Sequence, residues 1–303
     1  MEKINILIAD DIDLSNPDIF PDKNFNIIIN PGIENQTILN SSNQFDCLII
    51  RSTRLIDRHF LDKCNVKVIA TCSRGYDNID TEYAAEKKIK IIYSSGTNCI
   101  SAAEHTFGLI LEIFKKICLS DKLIREGNFI KTDFERRELN LKKIGIIGVG
   151  KVGSHVAKIA AAFGMQIIAN DIDDEVKKQH KELLFKPLEF LLSESDVISL
   201  HIPLNTENRN FISKEKLNLI SSSAMFINTS RGAIIDEKHL IKLLKSSKIK
   251  FAGLDVFENE PEINPEFFEL GNVLLTNHTA GKTSESRVKM SQDIFTQVVQ
   301  FFT

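Results

Sequence analysis

Hydrophobic positions along the chain form short β-branched runs that alternate with amphipathic stretches. Five runs in the first third are predicted to be buried strands: Ile4–Ala9, Asn26–Asn30, Cys47–Ile50, Lys67–Thr71 and Lys90–Tyr93. Six later runs have the same character: Lys143–Ile147, Gln166–Asn170, Asp196–Leu200, Ala224–Asn228, Lys250–Leu254 and Asn272–Thr276. Helical patterns such as Lys151–Phe163 and Glu237–Leu244 separate them. The alternation predicts an α/β protein with two doubly wound parallel-sheet domains, each covered by helices on both faces.

A long helical pattern lies between the two series. It is predicted to begin at Ser101, where Ser101 and Glu104 have capping-box spacing, and to run from one domain to the other. The polar segment Leu123–Leu139 is predicted to be a surface connection, and a final helix is predicted after Thr283. If that helix packs on the first domain, the domains comprise residues 1–98 with 285–303, and residues 99–284.

Composition excludes several classes of function. The chain has 303 residues, 43% hydrophobic and 26% charged, with a net charge of -3, which indicates a folded protein without the basic surface that nucleic-acid binding requires. No apolar stretch is long enough to span a membrane, and the N-terminus lacks a signal-peptide pattern. The five cysteines are scattered and contain no C-x-x-C pair, so we expect a cytoplasmic protein without disulfides or a metal site.

A glycine-rich turn follows the first strand of the second series. Gly148, Gly150 and Gly153 form a G-x-G-x-x-G pattern between that strand and a helix. Gly148 permits a tight turn, Gly150 admits a pyrophosphate to the backbone, and Gly153 lets the helix pack closely. The pattern predicts a Rossmann dinucleotide-binding domain.

An acidic residue at the end of the next strand makes this prediction more specific. Asp171 has the spacing expected of the carboxylate that binds the ribose hydroxyls, although a small register shift would give the role to Asp173 or Asp174. A carboxylate there would repel a 2′-phosphate, so NAD is preferred to NADP.

Polar residues also follow the later strands, where ligands bind in open parallel sheets. Hydride transfer at a ketone needs a proton donor, a cation for a substrate carboxylate, and a carboxylate that keeps the donor basic. Arg231, Glu260 and a histidine meet these needs. Spacing alone does not decide between His278 and His201, and Arg231 and Glu260 would otherwise be an ordinary surface ion pair and an exposed loop acid.

Several ordered motifs together resemble the D-isomer-specific 2-hydroxyacid dehydrogenases, most closely the short 3-phosphoglycerate dehydrogenases without a regulatory domain. The motifs are the substrate loop Gly75–Asp80, the hinge Asn98–His105, the glycine turn Gly148–Gly153, and the segments Asn228–Asp236, Asp255–Pro261 and Asn277–Thr283. The resemblance implies a flavodoxin-like substrate domain, a Rossmann domain, a homodimer formed by the NAD-binding domains, and a cleft that closes over the substrates.

The resemblance also implies individual roles. Arg231 anchors the substrate carboxylate, Glu260 partners the histidine, and His278 is the acid/base, which decides against His201. The residues placed around NAD are Gly148, Gly150, Lys151, Val152, Gly153, Asp171, Thr229, Asp255 and Gly281. Those placed around the substrate are Arg51, Arg54, Arg74, Gly75, Tyr76, Asn98 and Arg231.

Two features depart from the family pattern: Cys72-Ser73-Arg74 replaces small residues, and Asn277 replaces a proline before the histidine. We expect oxidation of 3-phosphoglycerate to 3-phosphohydroxypyruvate, a step of serine biosynthesis, with Arg51 and Arg54 as phosphate partners. The alternatives are an enzyme of glycerate, glyoxylate or hydroxypyruvate, and a non-catalytic NAD-sensing corepressor. The absence of long partner-binding tails disfavours the corepressor, and the histidine–glutamate pairing disfavours a formate-type dehydrogenase.

Overall fold

A computed structural model describes residues 3–15, 24–73, 75–94, 96–129 and 135–303. The chain divides into two compact units, Met1–Asn98 with Lys282–Thr303, and Cys99–Gly281. The second junction therefore lies between Gly281 and Lys282, where the sequence suggested a junction between residues 284 and 285.

The first unit is built on a five-stranded parallel sheet. Its strands are β1 (Ile4–Ile8), β2 (Phe25–Ile29), β3 (Cys47–Ile50), β4 (Val68–Thr71) and β5 (Lys90–Tyr93). They pair in the order β2-β1-β3-β4-β5, which is the flavodoxin-like order expected from the resemblance. The helices are α1 (Asn35–Asn40), α2 (Arg58–Lys63), α3 (Thr81–Glu86) and the C-terminal α11 (Ser284–Phe302).

Helices bury both faces of this sheet, which explains why its strands are apolar on consecutive residues rather than on alternate ones. Ile38, Phe60 and Ala84 of the three short helices pack on one face. Ile294 and Phe295 of α11 pack on the other. The last segment of the chain thus completes the core of the first unit.

The second unit contains a seven-stranded parallel sheet. Its strands are β6 (Lys143–Ile147), β7 (Gln166–Asn170), β8 (Leu184–Phe185), β9 (Val197–Leu200), β10 (Met225–Asn228), β11 (Phe251–Leu254) and β12 (Val273–Leu275). The order is β12-β11-β10-β9-β6-β7-β8. Counted from β6, this is the Rossmann order extended by one strand, and its direction reverses between β6 and β9.

Seven α-helices of the second unit are described, together with two 3-10 helices. The α-helices are α4 (Cys99–Lys115), α5 (Ile117–Arg125), α6 (Lys151–Ala162), α7 (Asp174–Gln179), α8 (Leu188–Glu194) and α10 (Glu237–Lys245), with the short α9 (Lys214–Leu217) between β9 and β10. The 3-10 helices are Gly232–Ile234 and Pro265–Glu269, and one further 3-10 turn, Ser42–Gln44, belongs to the first unit. Phe107 and Val156 lie in the core on one face of the sheet, and Leu191 and Leu240 lie in the core on the other.

The region around residues 99–125 differs from the sequence expectation. Helix α4 begins at Cys99, so Ser101 lies inside its first turn, only 8% exposed, and the predicted capping box was wrong. Lys116 has a φ of 56°, which ends α4 and starts α5. Helix α5 occupies part of the segment predicted to be a polar connection, and the two-residue β8 was not predicted. Among the described residues, no helix combines the length and apolar character needed to cross a bilayer.

Candidate functional site

The candidate site lies at the carboxyl-terminal edge of the seven-stranded sheet. All of its strands are parallel, so the residues that follow them share this edge. In sheet order the residues are His278 after β12, Asp255 to Pro261 after β11, Arg231 after β10, His201 after β9, Gly148 after β6 and Asp171 after β7. The predicted cofactor and catalytic residues of this unit are therefore brought to one edge.

The three glycines of the turn after β6 differ in the steric surroundings that a side chain would meet. Gly148 has a φ of +87°, and a Cβ there would lie 2.7 Å from the carbonyl oxygen of His201. A Cβ at Gly153 would lie 2.0 Å from the carbonyl oxygen of Gly148, so the turn and α6 pack too closely for any side chain. A Cβ at Gly150, in contrast, would meet no atom within 4 Å. The backbone at Gly150 is thus open to a ligand at the N-terminus of α6, which fits a dinucleotide pyrophosphate.

Asp171 is held beside this turn by two backbone groups. The N–H of Val149 donates to Asp171 Oδ2 at 2.7 Å, and the N–H of Asp173 donates to Asp171 Oδ1 at 2.9 Å. Asp173 instead caps α7 by accepting from Glu175 N–H. The carboxylate of Asp171 is therefore fixed next to the glycine turn, as a ribose ligand requires.

The other predicted cofactor residues have varied surroundings. Lys151 is exposed and Val152 half-buried in the first turn of α6. Thr229 follows β10, and its hydroxyl lies 2.9 Å from the hydroxyl of the buried Thr106. Gly281 is half-buried at the end of this unit.

His278 and Glu260 form a close pair. His278 Nδ1 lies 2.5 Å from Glu260 Oε2, and the side chains are 40% and 32% exposed. Glu260 Oε1 accepts from the N–H of Phe257 at 2.9 Å. Burial raises the pKa of Glu260, but the bonds from His278 and Phe257 and the positive charges of His278 and Arg231 outweigh it, so the pKa is lowered. Because Nδ1 faces the carboxylate, Nε2 is the ring nitrogen left for other chemistry.

Asp255 supports the loop that carries His278. Its side chain is fully buried and accepts from Thr276 Oγ1 at 2.6 Å and from the N–H groups of Thr279 and Ala280. Burial raises its pKa, but these bonds and His105 lower the pKa to about 2. This geometry does not match the contact with NAD that was predicted for Asp255. The carboxylate has no exposed surface through which to reach a ligand.

Asn228 organises the loop that carries Arg231. The buried Asn228 donates from Nδ2 to the carbonyl of Arg231 at 3.0 Å and accepts from the N–H and hydroxyl of Ser230. Arg231 Nη1 donates to the carbonyl of Ser230 at 2.7 Å. Sequence reasoning assigned Asn228 no such role; the signal that could have revealed it is a buried amide at the last residue of an apolar strand.

His201 has a different environment from His278. Its Nε2 lies 2.7 Å from the hydroxyl of the buried Ser199. The loss of hydration lowers the pKa of His201 to about 3, so this imidazole is neutral near pH 7.

In the first unit, the guanidinium of Arg54 forms hydrogen bonds with neighbouring residues of the same unit. Its guanidinium donates to both carboxylate oxygens of Asp10, to Asn35 Oδ1 and to the carbonyl of Ala9, and its side chain is only 10% exposed. This differs from the predicted phosphate contact, because a phosphate would have to displace Asp10. The guanidinium of Arg51 makes one long contact, 3.4 Å from the carbonyl of Asp11.

The remaining substrate candidates also lie in the first unit. The Gly75 carbonyl accepts from Ser73 Oγ at 2.5 Å. The Tyr76 ring is 37% exposed and packs against Tyr93 with ring centroids 4.5 Å apart. Asn98 is half-buried. Arg74 lies outside the described residues, and among those that are described no group of three or more His, Cys, Asp or Glu side chains is arranged to hold a metal ion.

Comparison with known proteins agrees with this architecture. The sequence profile of the family described as "D-isomer specific 2-hydroxyacid dehydrogenase, NAD binding domain" matches residues 107–280. A glyoxylate reductase of Thermococcus litoralis is 35% identical over 87% of this chain and 82% of its own length. A D-3-phosphoglycerate dehydrogenase of Synechocystis is 33% identical over 97% of this chain, which spans only 53% of that protein.

A solved structure extends the likeness to the whole fold. The D-lactate dehydrogenase of Aquifex aeolicus, complexed with NAD and lactic acid, superposes with a TM-score of 0.84 at 28% identity, over 98% of this chain and 95% of the other. The chain belongs to the D-isomer-specific 2-hydroxyacid dehydrogenase family. It is an NAD-dependent oxidoreductase with two parallel-sheet α/β domains.

Proposed function

We propose that His278 exchanges a proton with the oxygen on C2 of a small 2-hydroxy or 2-oxo acid, with Glu260 as its partner and Arg231 as the carboxylate anchor. The observation that carries the proposal is the 2.5 Å contact between His278 Nδ1 and Glu260 Oε2, on the same sheet edge as the glycine turn. NAD supplies the hydride acceptor for the oxidation.

The proton step follows from the pair. In the reduction the protonated His278 donates its proton to the ketone oxygen, and the carboxylate of Glu260 faces the positive charge of that imidazole. In the oxidation the neutral His278 accepts the hydroxyl proton at Nε2. The charges of His278 and Arg231 both lower the pKa of Glu260.

Arg231 suits the anchoring role because a guanidinium makes a forked contact with a carboxylate. Asn228 fixes the backbone on which it stands. The first unit, with Gly75, Tyr76 and Asn98 among its residues, is proposed to bind the rest of the substrate.

For the substrate we propose 3-phosphoglycerate, oxidised to 3-phosphohydroxypyruvate in serine biosynthesis. Arg51 supports this choice, because its guanidinium makes only one long contact with the described residues. A second candidate is an unphosphorylated acid such as glyoxylate, hydroxypyruvate or glycerate. The engagement of Arg54 with Asp10 favours this candidate, since it removes one of the two predicted phosphate partners.

A substrate panel distinguishes the candidates. The wild type and Arg51→Gln are assayed by NADH absorbance with 2-oxo and 2-hydroxy acids that carry or lack a phosphate. If the substrate is phosphorylated, Arg51→Gln raises KM for it by about tenfold or more and leaves KM for glyoxylate unchanged. Higher kcat/KM for glyoxylate in the wild type would reject 3-phosphoglycerate.

The cofactor preference is a separate proposal. Asp171 is fixed beside the glycine turn by Val149 N–H, so a 2′-phosphate there would face a carboxylate. We expect a higher kcat/KM with NAD than with NADP. In Asp171→Ala the ratio of the two kcat/KM values should be smaller than in the wild type. Equal efficiency with both cofactors in the wild type would contradict the assignment.

We also propose a homodimer formed by the NAD-binding units. Helix α5 has no buried residue in this chain, its Ile117 and Ile124 are exposed, and Phe129, four residues beyond its end, is exposed as well. A patch of this kind is typical of a protein interface. Light scattering after gel filtration is expected to give a dimer for the wild type and a monomer for Ile124→Glu, with Leu184→Glu as an exposed control elsewhere on the same unit. A monomeric wild type would reject the proposal.

A further inference from the structure

Glu237 is an acidic residue in an unusual position. It is the first residue of α10, where Asp236 caps the helix by accepting from His239 N–H. A glutamate in the first turn of a helix is normally exposed and interacts with the helix dipole. Glu237 is instead only 5% exposed. A buried carboxylate needs a hydrogen-bonded partner, and here that partner belongs to the loop that carries Glu260.

The partner is a backbone group. Glu237 Oε2 accepts from the N–H of Glu258 at 2.9 Å, and Glu260 Oε1 accepts from the preceding N–H, that of Phe257, at 2.9 Å. Two carboxylates therefore hold two consecutive N–H groups of one loop. Glu260 also contacts His278, while Glu237 approaches the loop from the side of α10.

The same loop packs tightly on the segment that carries Arg231. A Cβ at Gly232 would lie 1.9 Å from the carbonyl carbon of Phe257 and 2.5 Å from Glu258 N. No side chain fits between the two segments. A displacement of the loop at Glu258 would therefore be transmitted to Glu260 on one side and to the Arg231 segment on the other.

We propose that Glu237 is a positioning residue for the His278–Glu260 pair: its carboxylate fixes the loop through Glu258 N–H, and its negative charge strengthens the binding of the proton by the pair. The inference rests on the proposed role of His278. Glu237 acts through the loop and through its charge, without contact with the reacting atoms.

The charges around Glu237 support the electrostatic part. Burial raises its pKa, the bond from Glu258 N–H opposes this, and the charges of Glu258 and Glu260 raise it further, with a net increase. Glu260 in turn faces His278 and Arg231. Above its own pKa, Glu237 adds a negative charge behind Glu260, which favours the protonated form of His278.

The test compares two variants that are matched in charge. Glu237→Gln keeps an oxygen that can accept from Glu258 N–H but removes the charge, whereas Glu262→Gln removes an exposed carboxylate from the same loop. The measurements are the pH profiles of kcat/KM in both directions, the Kd of NAD, and the pKa of His278. This pKa comes from NMR of histidine-labelled protein, with the resonance assigned by its loss in His278→Ala.

For Glu237→Gln we expect the His278 pKa and the matching kinetic limbs to move to lower pH by about half a unit to one unit, with an unchanged Kd for NAD. Glu262→Gln is expected to shift them by less than half as much, because solvent screens an exposed charge. An unshifted His278 pKa in folded Glu237→Gln, or an equal shift in Glu262→Gln, would overturn the inference. A change in melting temperature alone would also overturn it, since that is the mark of a purely structural role.

Two further results keep the test decisive. If Glu237→Gln does not fold, carboxyl-carbon NMR of the wild type replaces it: the His278 resonance is expected to show an inflection at the pKa of Glu237, and its absence rejects the inference. Failure of the proposed function is a different result. In that case His278→Ala retains turnover, whatever Glu237→Gln does to the histidine titration.

Discussion

His278 and His201 each follow a parallel strand of the same sheet, yet their side chains have different partners. His278 Nδ1 contacts the carboxylate of Glu260 at 2.5 Å, whereas His201 Nε2 contacts the hydroxyl of Ser199 at 2.7 Å. A carboxylate favours a charged imidazole, while the surroundings of His201 lower its pKa to about 3. Position after a strand brings a histidine to the site, but its neighbours determine whether it can exchange a proton near pH 7.

The largest expected effect comes from removing His278, and removal of His201 is the matched comparison. His278→Ala should lower kcat by about 10²- to 10⁴-fold, the usual contribution of a positioned acid/base, with the Kd of NAD unchanged. His201→Ala should lower kcat by less than about tenfold. Steady-state kinetics and NAD titration measure both. Loss of turnover in His201→Ala together with retained turnover in His278→Ala would contradict the assignment of His278 as the acid/base.

The next effect concerns the loop that holds His278. Asp255→Asn would place an amide donor against an N–H donor of Thr279 or Ala280, so we expect a loss of about 2 kcal/mol in the free energy of unfolding at pH 7. Because the folded-state pKa of Asp255 is lowered from 3.8 to about 2, its stabilisation is present above pH 4 and is lost as the pH falls towards 2.

Urea unfolding at several pH values measures this loss. Asp174→Asn, which removes an exposed carboxylate paired with Lys177, serves as the control and should change the free energy by less than about 0.5 kcal/mol. Equal stability of Asp255→Asn and wild type at pH 7 would show that the loop does not depend on this carboxylate.

A smaller effect tests the role of Glu260 as the partner of His278. Glu260→Gln keeps an oxygen for Phe257 N–H but removes the charge that favours protonated His278. The histidine pKa falls, so reduction, which needs the protonated form, loses its rate at a lower pH than in the wild type. A fall of about one pH unit costs about tenfold in kcat/KM on the alkaline limb. An alkaline limb at the wild-type position would contradict the pairing.

The smallest effect tests the partner of the other histidine. Ser199→Ala removes the hydroxyl that contacts His201 Nε2, and should cost about 1 kcal/mol of unfolding free energy. The pH profile of kcat/KM should stay where it is in the wild type, because His201 is neutral across the working range. A displaced profile would show that both histidines contribute to the titration.

Most of the fold could be predicted from the sequence. Strands β5, β6 and β7 have the predicted bounds, because apolar β-branched runs between polar turns define buried parallel strands. The two-residue β8 gives no such signal. The start of α4 was misplaced because Ser101 and Glu104 have capping-box spacing, yet the tertiary structure buries Ser101 inside the first turn.

Residue types and strand ends of the candidate site could be predicted from the sequence, and the family resemblance implied the Glu260 partner of His278, but most other hydrogen-bond partners could not be predicted. Arg54 and Asp255 both occupy the expected positions after strands. The side chain of each forms hydrogen bonds with other residues of the protein rather than facing a ligand. Those partners, Asp10 and the Thr276–Ala280 loop, depend on which strands become neighbours. Glu237 was missed for the same reason, since its contact forms only when α10 and the loop after β11 approach each other. Asn228 was missed for a different reason: its bonds lie within its own loop, and the sequence does not show that its amide is buried.

The backbone of His278 has a φ of 53°, in the left-handed region that glycine and asparagine adopt more readily than histidine. The backbone conformation at this residue therefore favours glycine or asparagine, whereas the proposed proton transfer requires histidine. Under selection for folding alone, glycine or asparagine would be favoured at position 278. With the role proposed for it, histidine at this position is less stable than glycine or asparagine would be but supplies the acid/base group.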